Sequence, residues 1–165
     1  MIDNYGRVID YMRISVTELC NLRCRYCMPE DGIVKRAHDE MMTAEETIDA
    51  VKAAVSLGIK KIRITVGEPL VKRGIVKLCS AISAIEGVEE LCITTNGTLL
   101  PKFGKELREA GVSRVNISLD TLDPDKYREI TRVGELSEAL VGIDAAFEAG
   151  FDNIKINNVL MGGFN

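Results

Sequence analysis

The chain has 165 residues, a formal charge of −4, and 46% hydrophobic and 28% charged residues. That length supports one domain with a sizeable core, the composition excludes a wholly disordered chain, and the acidic balance argues against a surface that coats nucleic acid. No apolar run approaches a membrane span, and a single His with no Trp supports neither a His-based catalytic apparatus nor a base-stacking platform.

After a lead-in over residues 1–10, the alternation of Met12, Ile14 and Val16 with Arg13, Ser15 and Thr17 predicts a strand over 11–17. It runs into Cys20-Asn21-Leu22-Arg23-Cys24-Arg25-Tyr26-Cys27, which holds three of the five cysteines. Thiols that dense in a loop at a strand end are better explained by a metal than by packing. An odd cysteine count and the lack of an export signal argue against a disulfide framework, and reduced thiols point to the cytoplasm. A Cys3His zinc site would have to recruit His38 across a spacing unlike the usual paired zinc motifs; His38 reads as a surface residue in a charged loop. Three soft ligands with no obvious fourth suit an iron-sulfur cubane that keeps one iron open.

Residues 28–42 are turn-rich and charged, and Thr43 with Glu46 forms a capping box that opens a helix ending at Gly58. A strand over 61–66 leads to Gly67-Glu68-Pro69 and a helix through about Ile85. A strand over 91–95 precedes Asn96-Gly97 and a helix ending at Gly111. The strand over 114–119 precedes Asp123-Pro124, an N-cap with a favoured first-turn proline, and a helix over 138–149 leads past Gly150 to a strand over 153–160. Strands alternating with crossover helices predict a parallel α/β sheet.

Parallel strands covered on both faces read as continuous apolar runs, but these alternate. Ile62, Ile64 and Val66 are interleaved with Arg63 and Thr65, and Val115, Ile117 and Leu119 with Asn116, Ser118 and Asp120. One row of each strand therefore meets helices, and the polar row lines either a hollow or a wet open face. Arg13, Arg63 and Lys155 fall on the polar rows, where they suit a polyphosphate or another anionic substrate. The cysteine loop, Gly67-Glu68-Pro69, Thr95-Asn96-Gly97 and the Ser118–Asp120 stretch all follow strands, at the end where barrel enzymes place their chemistry. Cys79 and Cys92 read as core residues.

CxxxCxxC with an aromatic before the last cysteine resembles the cluster motif of radical S-adenosylmethionine enzymes. Asp3 to Arg7, Cys27-Met28-Pro29-Glu30, Lys61 to Leu70, Thr94 to Gly97, Arg114 to Leu122 and Ile130-Thr131-Arg132 further resemble the radical SAM GTP cyclases of molybdenum-cofactor biosynthesis, the MoaA family. The resemblance implies a partial (β/α) barrel, parallel strands with outer helices, truncated after about the fifth strand; residues 1–165 would be an incomplete radical SAM core. It implies Cys20, Cys24 and Cys27 as ligands of a 4Fe-4S cluster, Tyr26, Gly67 and Ser118 as S-adenosylmethionine contacts, and Arg13, Arg63, Thr94 and Lys155 as GTP contacts. It also implies a reductant protein as partner, with no nucleic acid and no membrane, and the family's second cluster lies outside this stretch. The expected open sheet edge invites self-association. Val66 stands where the family has a glycine; a positive φ there would strain a β-branched residue. Another radical SAM enzyme with an anionic substrate, and a non-catalytic metal-binding fragment, are the alternative readings.

Overall fold

The computed structural model describes residues 2–33 and 41–165; His38 lies outside them. Five parallel strands form one sheet in the order β1-β2-β3-β4-β5: Tyr11–Ser15, Lys61–Thr65, Glu90–Thr95, Arg114–Ser118 and Ile154–Asn157. The helices are α1 (Ala44–Ser56), α2 (Ile75–Ser83), α3 (Leu100–Glu109), α4 (Pro124–Thr131) and α5 (Leu136–Glu148). Each crossover advances one strand in the same direction, so the order never reverses as it does in a doubly wound sheet. The result is part of a (β/α) barrel.

The apolar rows form the core. Ile62, Ile64, Ile93, Val115 and Ile117 are fully buried against Val51, Ile82 and Leu107 of the helices. On the opposite face the register sets Arg13 beside Arg63, Arg63 beside Cys92 and Cys92 beside Arg114, with Thr94, Asn116 and Lys155 aligned one step further along.

Local chemistry fixes the element ends. Thr43 and Glu46 make the reciprocal capping box of α1, with bonds of 3.1 and 2.8 Å, and the Asp123 carboxylate caps α4. Strand β1 stops two residues earlier than the sequence pattern indicates, where Thr17 Oγ1 accepts the Leu19 N–H at 3.1 Å. Helix α2 begins only at Ile75, because a 3-10 turn over Pro69–Val71 and Gly74 at φ 77 intervene.

One expectation needs correction. Val66 leaves the apolar row: it is 54% exposed, at φ 66. Cys79 and Cys92 are both buried as expected, Cys92 on the polar face, where its Sγ lies 3.6 Å from the Asn116 side chain.

Candidate functional site

The cysteine loop is docked at three places. Its Arg23 and Arg25 N–H groups donate to the carbonyls of Thr131 and Ile130 at 3.0 and 2.9 Å, using last-turn acceptors that α4 leaves open. The Arg132 Nη1 donates back to the carbonyls of Arg23 and Met28 at 2.8 and 3.1 Å. Beyond β3, the Asn96 side-chain amide donates to Asn21 Oδ1 at 2.8 Å and lies 4.0 Å from Cys20 Sγ, while Asn21 donates to Thr98 Oγ1 at 2.9 Å.

Within the loop the Cys27 and Met28 N–H groups both donate to the Cys24 carbonyl, and Cys20 Sγ accepts the Leu22 N–H at 3.3 Å. None of the five cysteines forms a disulfide. Burial pushes the Cys24 thiol up to about 11, with the charges of Cys20 and Cys27 adding to the shift, and burial also raises Cys20. Cys20 and Cys24 therefore need a cation to hold them as thiolates. Among the described residues no three His, Cys, Asp or Glu side chains converge tightly enough for a single metal ion. Three soft thiolate ligands on one loop fit a cubane in which each takes a different iron.

Gly67 forms the wall next to the loop. It lies at φ 62, and a Cβ there would meet the Thr17 carbonyl oxygen at 2.7 Å and the Leu19 oxygen closer still. Only glycine permits this approach, which the Glu68 N–H completes by donating to Leu19 O at 2.8 Å. Glu68 is 1% exposed. Burial raises its carboxyl, opposed by hydrogen bonds from the Asn96 and Leu70 N–H groups and the Thr95 hydroxyl, at 2.7, 3.0 and 2.8 Å. One carboxylate thus braces the ends of β2 and β3 beneath the loop.

A cleft lined by Leu22, Cys24, Tyr26, Asn96, Ser118 and Asp120 opens beside these groups. It brings together one proposed ligand, Cys24, with Tyr26 and Ser118. Burial, followed by the bond to Asp120, holds the Tyr26 phenol protonated well above its ordinary range.

On the polar face, Arg13 and Arg63 flank the Tyr11 ring at 5.8 and 5.3 Å, and Arg13 Nε donates to the Tyr11 hydroxyl at 3.2 Å. Lys61 and Arg114 are matched by Asp10 and Glu90, whereas among the described residues no carboxylate pairs with Arg13, Arg63 or Lys155. Arg63 Nε is buried without a partner among the described residues. Lys155 is exposed on the same face, three strands away from Arg63. Asn96, Asp120 and Arg132 carry much of this geometry; the sequence marks their neighbourhoods, but no motif gives their partners.

The sequence profile of the Radical SAM superfamily matches residues 14–165. The chain belongs to the radical SAM superfamily. It is 57% identical to a GTP 3',8-cyclase of Alkaliphilus oremlandii and 56% identical to one of Peptoclostridium acidaminophilum. Each comparison takes in 100% of this chain but 52% and 51% of the relative, so the chain spans about half the length of the curated relatives it matches. The fold is shared with the crystal structure of Streptococcus suis SuiB, at a TM-score of 0.72 and 23% identity, covering 93% of this chain and 33% of that one.

Proposed function

We propose that the chain carries the cluster-binding and S-adenosylmethionine-binding part of a GTP 3',8-cyclase of molybdenum-cofactor biosynthesis. The observation that carries this reading is the meeting of the three-cysteine loop, the Gly67 wall and the Tyr26–Ser118 cleft at one end of a parallel sheet, in a radical SAM chain 57% identical to a protein named for that activity.

In this reading Cys20, Cys24 and Cys27 hold a 4Fe-4S cluster, and Tyr26, Gly67 and Ser118 seat S-adenosylmethionine. When bound, the reduced pair supplies a 5'-deoxyadenosyl radical. Gly67 lets the backbone of Thr17 and Leu19 lie close against the wall, and the Tyr26–Asp120 bond fixes the cleft. Arg13, Arg63, Thr94 and Lys155 seat GTP; the cations of the polar face, without a carboxylate partner among the described residues, suit its triphosphate. A reductant protein delivers the electron, and the enzyme works in the cytoplasm. Among the described residues no helix is long and apolar enough to cross a membrane. The outer strand β5, with Ile156 44% exposed, is the edge through which copies would associate.

Anaerobic reconstitution tests the reading. About four irons per chain, with 5'-deoxyadenosine formed from S-adenosylmethionine on reduction, is the expected result. GTP should bind the parent chain, and Arg63→Ala should weaken it about tenfold or more. Zinc in place of an iron-sulfur cluster would sink the reading, and cluster assembly without GTP binding would point to a different anionic substrate.

A further inference from the structure

Arg132 has φ 65 and ψ −37 at the C-terminal end of α4. This backbone is disfavoured for any residue with a Cβ and persists only where its surroundings hold it. Glycine would meet the demand of the backbone; what it could not supply is the side chain. The Arg132 Nη1 donates to the carbonyls of Arg23 and Met28, at 2.8 and 3.1 Å. Those carbonyls lie one residue before Cys24 and one after Cys27, so a single nitrogen brackets the segment that carries two of the three clustered thiols.

The surrounding contacts make the arrangement reciprocal. Helix α4 accepts the Arg23 and Arg25 N–H groups on its last carbonyls, and the residue that follows those carbonyls sends its guanidinium back to the same loop. Beside it, Gly134 gives the loop room: a Cβ there would come within 2.7 Å of Leu22 Cδ2. Donors and acceptors thus run both ways between the loop and the end of α4, and Arg132 spans the turn that Cys24 and Cys27 share.

We propose that Arg132 is a positioning residue that clamps residues 23–28 in the ligating conformation before iron arrives, an inference that rests on reading this loop as the cluster site. Its strained backbone is the cost of aiming the guanidinium across the loop, and the return is a ligand set ordered in advance.

Hydrogen exchange on the full chain without iron, paired with the rate of iron loss to a chelator after reconstitution, tests the clamp. In Arg132→Gly, exchange across 23–28 should accelerate about tenfold or more while the urea midpoint of the chain holds or rises, because glycine relieves the backbone as it removes the clamp. Arg132→Lys keeps a donor and should restore protection to within about threefold of the parent. Iron should leave the glycine variant about tenfold faster than the parent. Exchange in 23–28 that stays within about twofold of the parent overturns the proposal, as does an equal acceleration in β3 and β4, which would mark a general loss of stability. A parent chain that takes up no iron defeats the proposed function, while the exchange comparison still decides the clamp.

Discussion

The Tyr26 phenol donates a 2.6 Å hydrogen bond to the Asp120 carboxylate and so joins the cysteine loop to the end of β4. The other carboxylate oxygen accepts the Val159 N–H at 2.8 Å, and the Asp120 carbonyl accepts the Asn158 and Asn165 side chains at 2.8 and 2.7 Å. Three distant segments therefore meet on one residue. Asp120→Ala strands the Tyr26 hydroxyl and the Val159 N–H and should cost about 1–3 kcal/mol, whereas Asp120→Asn keeps one acceptor and should cost about half as much. Urea denaturation checks the ranking; an alanine variant as stable as the parent contradicts it.

Val66 holds φ 66 while its side chain is 54% exposed, so it bears a left-handed backbone and recovers little by burial. The strain is about 1–2 kcal/mol, against which glycine adds freedom to the unfolded chain. Val66→Gly should therefore stabilise by about 1 kcal/mol, seen as a higher thermal midpoint. A lower midpoint would mean that the valine contributes contacts worth more than its strain.

Features set by a few neighbouring residues were legible in the sequence. The Thr43–Glu46 box and the Asp123 cap lie where expected, and Gly58, Gly111 and Gly150 follow their helices at φ 94, 89 and 81. Period-two alternation marked the Ile62–Ile64 and Val115–Ile117 rows that meet the helices, because side-chain direction sets them, but not exposure as such: Asn116 of a polar row is buried and Ile156 of an apolar row is 44% exposed. Pairings across the chain were not legible: nothing local ties Asn21 to Asn96 or Arg132 to Met28, since those contacts are fixed by sheet register and helix docking. Cys92 is buried as its type implies, but its type does not tell whether a thiol faces the helices or the polar row.

Gly142 shows how a helix far from the loop constrains it. A Cβ at this position of α5 would collide with the Gly97 carbonyl oxygen and come within 2.7 Å of its carbon. Gly97 follows Asn96, which holds Asn21 beside Cys20. Alanine favours helix by about 1 kcal/mol, but displacing backbone costs about 1–3 kcal/mol or more, so the clash should win. Gly142→Ala is expected to lower the urea midpoint and to speed exchange at Asn96–Thr98 beyond that of β1. Unchanged stability would show that α5 can retreat from the turn without loss.

Tyr127 offers a test by pH. It is 3% exposed, its hydroxyl has no partner among the described residues, and burial pushes its phenol up to about 12. The unfolded chain releases this proton near pH 10, so between about 10 and 12 the unfolded state binds fewer protons than the folded one and alkali favours unfolding. The contribution is complete below about pH 10 and is lost as pH rises through 12, amounting to about 2–3 kcal/mol for the two-unit shift. Tyr127→Phe removes both the titration and a buried hydroxyl without a partner. It should stabilise the ligand-free chain by about 1 kcal/mol at neutral pH and flatten its alkaline decline by about 2–3 kcal/mol. The decline that persists belongs to other groups, Tyr26 among them, whose phenol is raised by burial and by Asp120. Urea titrations of both proteins from pH 8 upward measure the difference, and parallel curves would show that the Tyr127 phenol is solvated or bonded in solution.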